Sequence, residues 1–267
     1  MEKLLRKEVV KTKEEQDILE KDFTTLTKIK DFERHINAAD KFVMKACNKG
    51  NFELALKAAK ENEAFADRYY REEKKHGNVD DRTPGEIAWD NWLLSGARTP
   101  PPDTSDYEDG GGYDRYLENL GNIVSAAADA GNIDFAFKVL KDIEKIREGD
   151  KKDPSRLIAL FDIINGVAKK GDFELAMKLA KELPADAIEI VDTDGYEGFT
   201  SIVFAALDRD NLKVALDAVK KIKNDEDGYF EALIGIQEYL EEDKKISPEE
   251  KKKIKNWINK EMEKIGS

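Results

Sequence analysis

The sequence predicts an all-α fold, a right-handed α-α superhelix (solenoid) of about five helical hairpins with terminal capping helices. The first observation is a segment that recurs in residues 47–61, 128–142, 168–184 and 207–221. The second is that apolar residues in each copy recur at helical spacing. The third is a Gly or Asp, followed by Asn or Asp, between two apolar runs, which indicates a tight turn between helices.

The four copies share an origin at this turn. The origin residues are Gly50, Gly131, Gly171 and Asp210, which lie 81, 40 and 39 residues apart. Periods of this size are typical of stacked supersecondary units, because one hairpin cannot bury its apolar stripe alone. Glycine suits the left-handed backbone that ends a helix, whereas aspartate tolerates it less well.

A second helix is predicted to begin directly after the origin. The next residue in each copy is a candidate N-cap, whose side-chain oxygen accepts an unpaired backbone N–H: Asn51, Asn132, Asp172 and Asn211. Five positions after the origin every copy has alanine: Ala55, Ala136, Ala176 and Ala215. We expect this small residue to let the two helices of a hairpin approach closely.

A first helix is predicted before the origin. Apolar residues stand four, seven and eight positions before it in each copy, and these spacings share one helical face. They are Ala46, Val43 and Phe42; Ala127, Val124 and Ile123; Val167, Ile164 and Ile163; and Ala206, Val203 and Ile202. Each unit is therefore predicted to be a helix, a tight turn and a helix.

The phrase "AKKGDFELAMKLAKEL", with Gly171, Phe173 and Ala176, resembles the turn and second helix of the tetratricopeptide and pentatricopeptide superfamily. The resemblance covers about residues 31–62 and 113–223. The period of 39–40 residues is longer than in those families, and the Trp, Leu-Gly and Tyr pattern of the first tetratricopeptide helix is absent. The resemblance implies the helical-repeat architecture and transfers no functional residues.

The remaining sequence predicts four regions. Residues 1–30 form an N-terminal capping helix that breaks at "TTLT", and residues 31–76 form the first hairpin with an extended second helix. Residues 77–112 form an irregular insert with one short helix and an acidic Pro/Gly-rich loop. Residues 113–265 form stacked hairpins and a C-terminal capping helix, which opens with a capping box at Ser247 and Glu250.

Composition narrows the classes of function. The net charge is −12, which argues against a nucleic-acid or anionic-membrane binder, since phosphates attract basic patches. No apolar run is long enough to span a bilayer and Cys47 is the single cysteine, so we expect a soluble cytoplasmic protein. Lys and Glu are abundant and the chain has two Gln residues, a composition that is typical of thermophilic proteins. An AT-rich genome would also raise the Lys content. Acidic residues concentrate in 80–118 and 184–210, which predicts an acidic edge.

No motif predicts catalysis, a metal or a cofactor. The two histidines are His35 and His76, and "EKKH" at 73–76 occurs once where a di-iron bundle requires two such motifs. Cys47 takes a core position, which predicts a small buried hydrophobe. The calcium-like turns "DTDGYE" and "NDEDGY" lack the acid at position twelve of an EF-hand loop.

The leading hypothesis is a protein-interaction scaffold that is not an enzyme and whose partner is another protein or peptide. The candidate partner-binding residues are the non-core positions of the first helices: Asn122, Ser125, Asp129, Asp162, Asn165, Lys169 and Ser201. Trp89 and Trp92 either pack against a neighbouring hairpin or anchor a partner. The alternatives are a single-stranded RNA-binding repeat protein and an enzyme with a site between hairpins.

Overall fold

The computed structural model describes residues 13–75, 113–147, 149–184, 186–191, 198–222, 226–243 and 245–265. This part of the chain contains α-helices and no strand, which confirms the predicted all-α class. The predictions for His76, for Trp89 and Trp92 in the insert at 77–112, and for the turn at 192–197 lie outside it. Most of the predicted acidic edge also lies outside it.

The chain divides into two compact units, residues 1–126 and 127–267. The helices of the first are α1 (Lys13–Leu26), α2 (Phe32–Asn48), α3 (Phe52–Lys75) and most of α4 (Tyr113–Asp129). Those of the second, after the end of α4, are α5 (Ile133–Ile146), α6 (Pro154–Lys170), α7 (Phe173–Ala180), α8 (Ala187–Val191), α9 (Phe199–Leu207), α10 (Leu212–Val219), α11 (Glu226–Glu242) and α12 (Pro248–Ile265).

Helix α1 covers one side of the first hairpin. It packs on α2 and buries Leu19, Phe23 and Leu26, while the Phe23 ring lies 5.8 Å from that of Phe42. The predicted break at "TTLT" is wrong, because α1 continues through Leu26. The hydroxyls of Thr24 and Thr25 bond to carbonyls one turn back, and Leu26 completes the buried stripe.

The hairpins of the second unit stack through a regular pattern of contacts. The first helices α6, α9 and α11 contact one another in succession. Each second helix also packs against the first helix of the next hairpin, in the pairs α5–α6, α7–α9 and α10–α11. Every apolar stripe therefore has two neighbours, as stacking of hairpins requires.

The turn between the helices has the same geometry in all four copies. The origin residues have positive φ, at 61°, 74°, 88° and 56° for Gly50, Gly131, Gly171 and Asp210. The N–H of the following residue reaches back five residues to a carbonyl, as from Asn51 to Ala46 at 2.8 Å and from Asn211 to Ala206 at 2.8 Å. This 6→1 bond satisfies a carbonyl that would otherwise be unpaired at the helix end.

The predicted core positions are buried. The alanines five positions after the origin are fully buried in all four copies, and the residues of the predicted apolar stripe of the first helices are at most 6% exposed. The Asx side chain accepts the predicted cap bond at Asn51, Asp172 and Asn211, but Asn132 makes no such bond. At the last helix, Ser247 Oγ accepts the N–H of Glu250 at 3.2 Å, which is the serine half of the predicted capping box.

Helix α8 is a feature that the sequence reasoning missed. It lies in the linker between the third and fourth hairpins, and Ala187 packs against Leu157 and Phe161 of α6. Ile188, Ile190 and Val191 pack around this cluster. The linker therefore extends the core, although it carries no copy of the repeat.

Two glycines allow neighbouring first helices to approach closely. A Cβ placed on Gly166 would lie 2.6 Å from the backbone oxygen of Ala128, and one on Gly235 would lie 2.6 Å from Cε1 of Phe204. Gly166 is buried in α6, so its neighbours have little room to move. The Gly166 contact is with backbone and needs a residue without a side chain, whereas the Gly235 contact is with the end of the Phe204 side chain.

Substitution of Gly166 tests this close approach. We expect Gly166→Ala to lower the free energy of unfolding by about 1–3 kcal/mol, because the added methyl group forces α6 away from Ala128. Gly121→Ala in α4 is the matched control, since a Cβ there meets no atom within 4 Å, and we expect it to stabilise the chain by about 0.5–1 kcal/mol. Urea denaturation of both variants measures the difference, and an equal effect would contradict the packing.

Candidate functional site

A cleft of about 530 Å³ lies between α2 and α4 in the first unit. Its lining is mostly charged and carboxamide side chains: Asp40, Lys41, Met44, Lys45 and Asn48 from α2, its C-cap Lys49, and Glu118, Asn119 and Asn122 from α4. The size falls within the range of small-ligand and peptide-side-chain sites. Met44 is 45% exposed there, which makes it an accessible apolar surface among polar groups.

The cleft residues on α2 stand at the repeat positions that the sequence analysis assigned to partner binding, but only in the later copies. Lys41, Met44 and Asn48 stand nine, six and two residues before Gly50. Asp162, Asn165 and Lys169 stand at the same distances before Gly171. Carrying the offsets back to the first copy would have found this wall of the cleft.

A partly buried hydrogen-bond network forms the base of the cleft. Asp40 Oδ1 accepts from the Asn119 carboxamide at 2.8 Å and from that of Asn62 at 3.3 Å. Asn62 and Asn119 are each 4% exposed, and Arg115 lies 3.6 Å from the other carboxylate oxygen. The network joins α2, α3 and α4, and therefore fixes the spacing of the cleft walls.

Two of the three cleft lysines have acidic partners on α1. Lys45 Nζ lies 2.6 Å from Asp22, and Lys49 Nζ lies 2.9 Å from Glu15. Among the described residues, Lys41 has no ion-pair partner. The paired side chains are all between 39% and 50% exposed, so each pair contributes about 0–1 kcal/mol.

The predicted partner-binding residues fall in different environments. Asn122 and Ser125 are half-buried on α4, with Asn122 in the cleft, and Asp162 and Asn165 are half-buried on α6. Asp129 and Lys169 are exposed and form an ion pair at 2.9 Å. Ser201 was expected to be a surface residue, but it is buried, with 7% of the residue exposed, so it offers no binding surface.

Cations of the second unit link successive turns. Lys170 donates to the carbonyl of Gly131, and Arg209 Nε donates to the carbonyl of Lys169 at 3.1 Å. Lys245 donates to Asp210 at 2.8 Å, and this bond lowers the pKa of the Asp210 carboxyl. These side chains are occupied by contacts between hairpins, unlike Lys41.

His35 lies in an aromatic stack beside the first hairpin. Its ring is 3.8 Å from that of Phe65, and its Nδ1 lies 3.2 Å from the carbonyl of Ile29. This contact assigns the proton to Nδ1, so that Nε2 is buried and has no partner among the described residues. Burial lowers the pKa of His35, with Arg68 as a smaller cause in the same direction.

Cys47 is buried, as predicted. Burial raises the pKa of its thiol to about 11, which disfavours the nucleophilic thiolate. The described residues contain no group of three or more His, Cys, Asp or Glu placed to hold a metal ion. In the same part of the chain, no helix has the length and apolar character needed to cross a membrane.

Comparisons with known proteins return one structural likeness. No family model and no curated protein matches the chain. A solved structure of a Podosopora anserina protein with nearly identical TPR-like repeats, assigned as a kinesin light chain, is similar over 84% of this chain and 92% of its own. The two share 9% identity with a TM-score of 0.36. The helical-repeat architecture therefore rests on the contacts and turns described above.

Removal of the buried carboxamide tests the network at the base of the cleft. We expect Asn119→Ala to lower the free energy of unfolding by about 1–2 kcal/mol, because Asp40 loses a charge-assisted hydrogen bond. Asn122→Ala is the control, since this half-buried carboxamide lines the same cleft without such a bond to Asp40. Thermal and urea denaturation measure both variants, and the network has no stabilising role if the two losses are equal.

The buried histidine predicts a pH dependence of stability. Because the pKa of His35 is lowered in the folded chain, the unfolded chain binds more protons as the pH falls through the ordinary value of 6.5. His35 therefore favours folding fully above that value and progressively less below it. We expect the Tm to fall between about pH 7.5 and pH 5.5, and to fall less in His35→Phe, which keeps the stack. Equal slopes for the two proteins would disprove this role.

Proposed function

We propose that the chain is a protein-interaction adaptor and that the cleft between α2 and α4 binds a segment of another protein. The observation that carries the proposal is an accessible cleft with a polar, pre-positioned base. The Asp40 network holds three helices in place, so a partner meets walls that are already ordered. Pre-organisation of this kind lowers the conformational cost of binding.

The groups in the cleft suit a polypeptide. Asn48 and Asn122 each carry a donor and an acceptor, which match the N–H and C=O of a peptide group. Met44 offers a flexible apolar side chain that adapts to different partner side chains. The net charge of −12 favours a protein or peptide over a nucleic acid, as the sequence predicts.

The cleft supports binding better than the equivalent face of α6 in the second unit. Lys169 there pairs with Asp129, and the Lys169 carbonyl accepts from Arg209. A partner would have to displace these contacts between hairpins. Asp162 and Asn165 stay in the proposal as a secondary surface, and Ser201 is left out because it is buried.

The test combines affinity purification from the native organism with paired substitutions of exposed apolar residues. We expect Met44→Glu to reduce partner recovery about tenfold or more, because a carboxylate replaces the apolar contact beside Asp40 and Glu118. Phe230→Glu is the control, since Phe230 is 42% exposed on α11 and belongs to neither proposed surface.

Photo-crosslinking from position 44 gives a second measurement. A crosslinking residue in place of Met44 should trap the partner, whereas one in place of Phe230 should not. Equal recovery by Met44→Glu and by the wild-type chain, together with no crosslink from position 44, would overturn the assignment of the cleft.

A further inference from the structure

The three lysines of the cleft form one stripe along α2. Lys41, Lys45 and Lys49 are four residues apart, and all three line the cleft. With a rise of about 1.5 Å per residue, their Cα atoms are spaced by about 6 Å along the helix axis and together span about 12 Å. The stripe presents positive charge at a nearly fixed repeat.

An extended peptide has a matching repeat. Its side chains alternate between two faces, so every second residue points the same way. At about 3.3 Å per residue, side chains on one face are about 6.6 Å apart. Three such side chains cover about 13 Å, close to the span of the lysine stripe.

The lysines of the stripe can bind a carboxylate of a partner in place of their present ion-pair partners. Lys41 has no ion-pair partner among the described residues, and the pairs of Lys45 with Asp22 and Lys49 with Glu15 are exposed to solvent. A carboxylate from a partner replaces one exposed ion pair with another of the same kind, so the exchange is small in free energy.

We propose that the cleft binds an extended peptide with acidic side chains at alternate positions, whose carboxylates face Lys41, Lys45 and Lys49. This inference rests on the proposed adaptor function and adds the chemistry of the partner. Glu118 on the opposite wall supports the orientation, since it repels an acidic face turned toward α4. The carboxamides of Asn48 and Asn122 then remain available to hydrogen-bond the peptide backbone.

Binding of this kind depends on salt. The chain as a whole repels an acidic partner, but at physiological ionic strength charges more than about 8 Å apart are largely screened. The contacts at the lysine stripe are shorter than this distance. Affinity therefore comes from the local stripe, and it should fall as salt rises.

The experiment measures fluorescence anisotropy of labelled seven-residue peptides with the full chain. The main probe alternates serine and glutamate, with three glutamates. One comparison peptide has lysine in place of each glutamate, and another places the three glutamates in succession, so that only two can share a face. We expect the alternating peptide to bind, the contiguous one to bind several-fold more weakly, and the lysine peptide not to bind.

Matched variants assign the binding to the stripe. We expect the triple variant Lys41→Gln, Lys45→Gln, Lys49→Gln to weaken binding of the alternating peptide about fivefold, because Lys41 gains a new ion pair on binding. The control is Lys141→Gln, Lys178→Gln, Lys181→Gln, which removes the same charge from exposed lysines of the second unit and should change the Kd less than about twofold. Circular dichroism of both variants verifies that they remain helical.

The outcomes separate this inference from the proposed function. Equal binding by the two triple variants, equal binding of the glutamate and lysine peptides, or binding of none of the peptides would overturn the inference. If Met44→Glu still abolishes partner recovery in that case, the adaptor function stands and only the acidic repeat is wrong. If Met44→Glu has no effect, the assignment of the cleft fails as well.

Discussion

The reversal of the chain at each turn is the constraint on which the rest of the hairpins depends. A helix must end and another must begin within two residues, with its backbone groups still paired. A left-handed residue and a 6→1 hydrogen bond achieve this at all four origins. Because the turn fixes how the helices leave it, the alanine at the same position is fully buried in every copy, as at Ala55 and Ala215.

The two units use polar side chains differently around this common frame. In the second unit, cations such as Arg209 are bound to the preceding turn and so contribute to stacking. In the first, two buried carboxamides and a partly exposed carboxylate bond to one another between helices, while lysines remain at the surface of a cleft. Lysines and arginines at equivalent positions of one repeat thus link turns in the second unit and line a cleft in the first.

The sequence predicted the structural features that depend on nearby residues and recur in every copy of the repeat. The spacing around Gly50 and Gly171 was sufficient for the helices, the turns and the buried stripe, because each is determined by residues within two helical turns. It did not predict α8, whose apolar residues follow no copy of the repeat. It also missed the base of the cleft, since Asp40 and Asn119 are 79 residues apart and neither belongs to a periodic pattern.

The hydrogen bonds between successive turns also determine the order in which the hairpins of the second unit unfold. Lys170, Arg209 and Lys245 each reach back to the turn before their own, so an interior hairpin is held from both sides whereas the terminal one is held from one. In a linear array, opening then propagates inward from an end rather than outward from the middle. Local unfolding of α11 and α12 would leave the earlier hairpins of the second unit folded. The free energy of local opening in this unit should therefore increase from its C-terminal helices towards its interior hairpins.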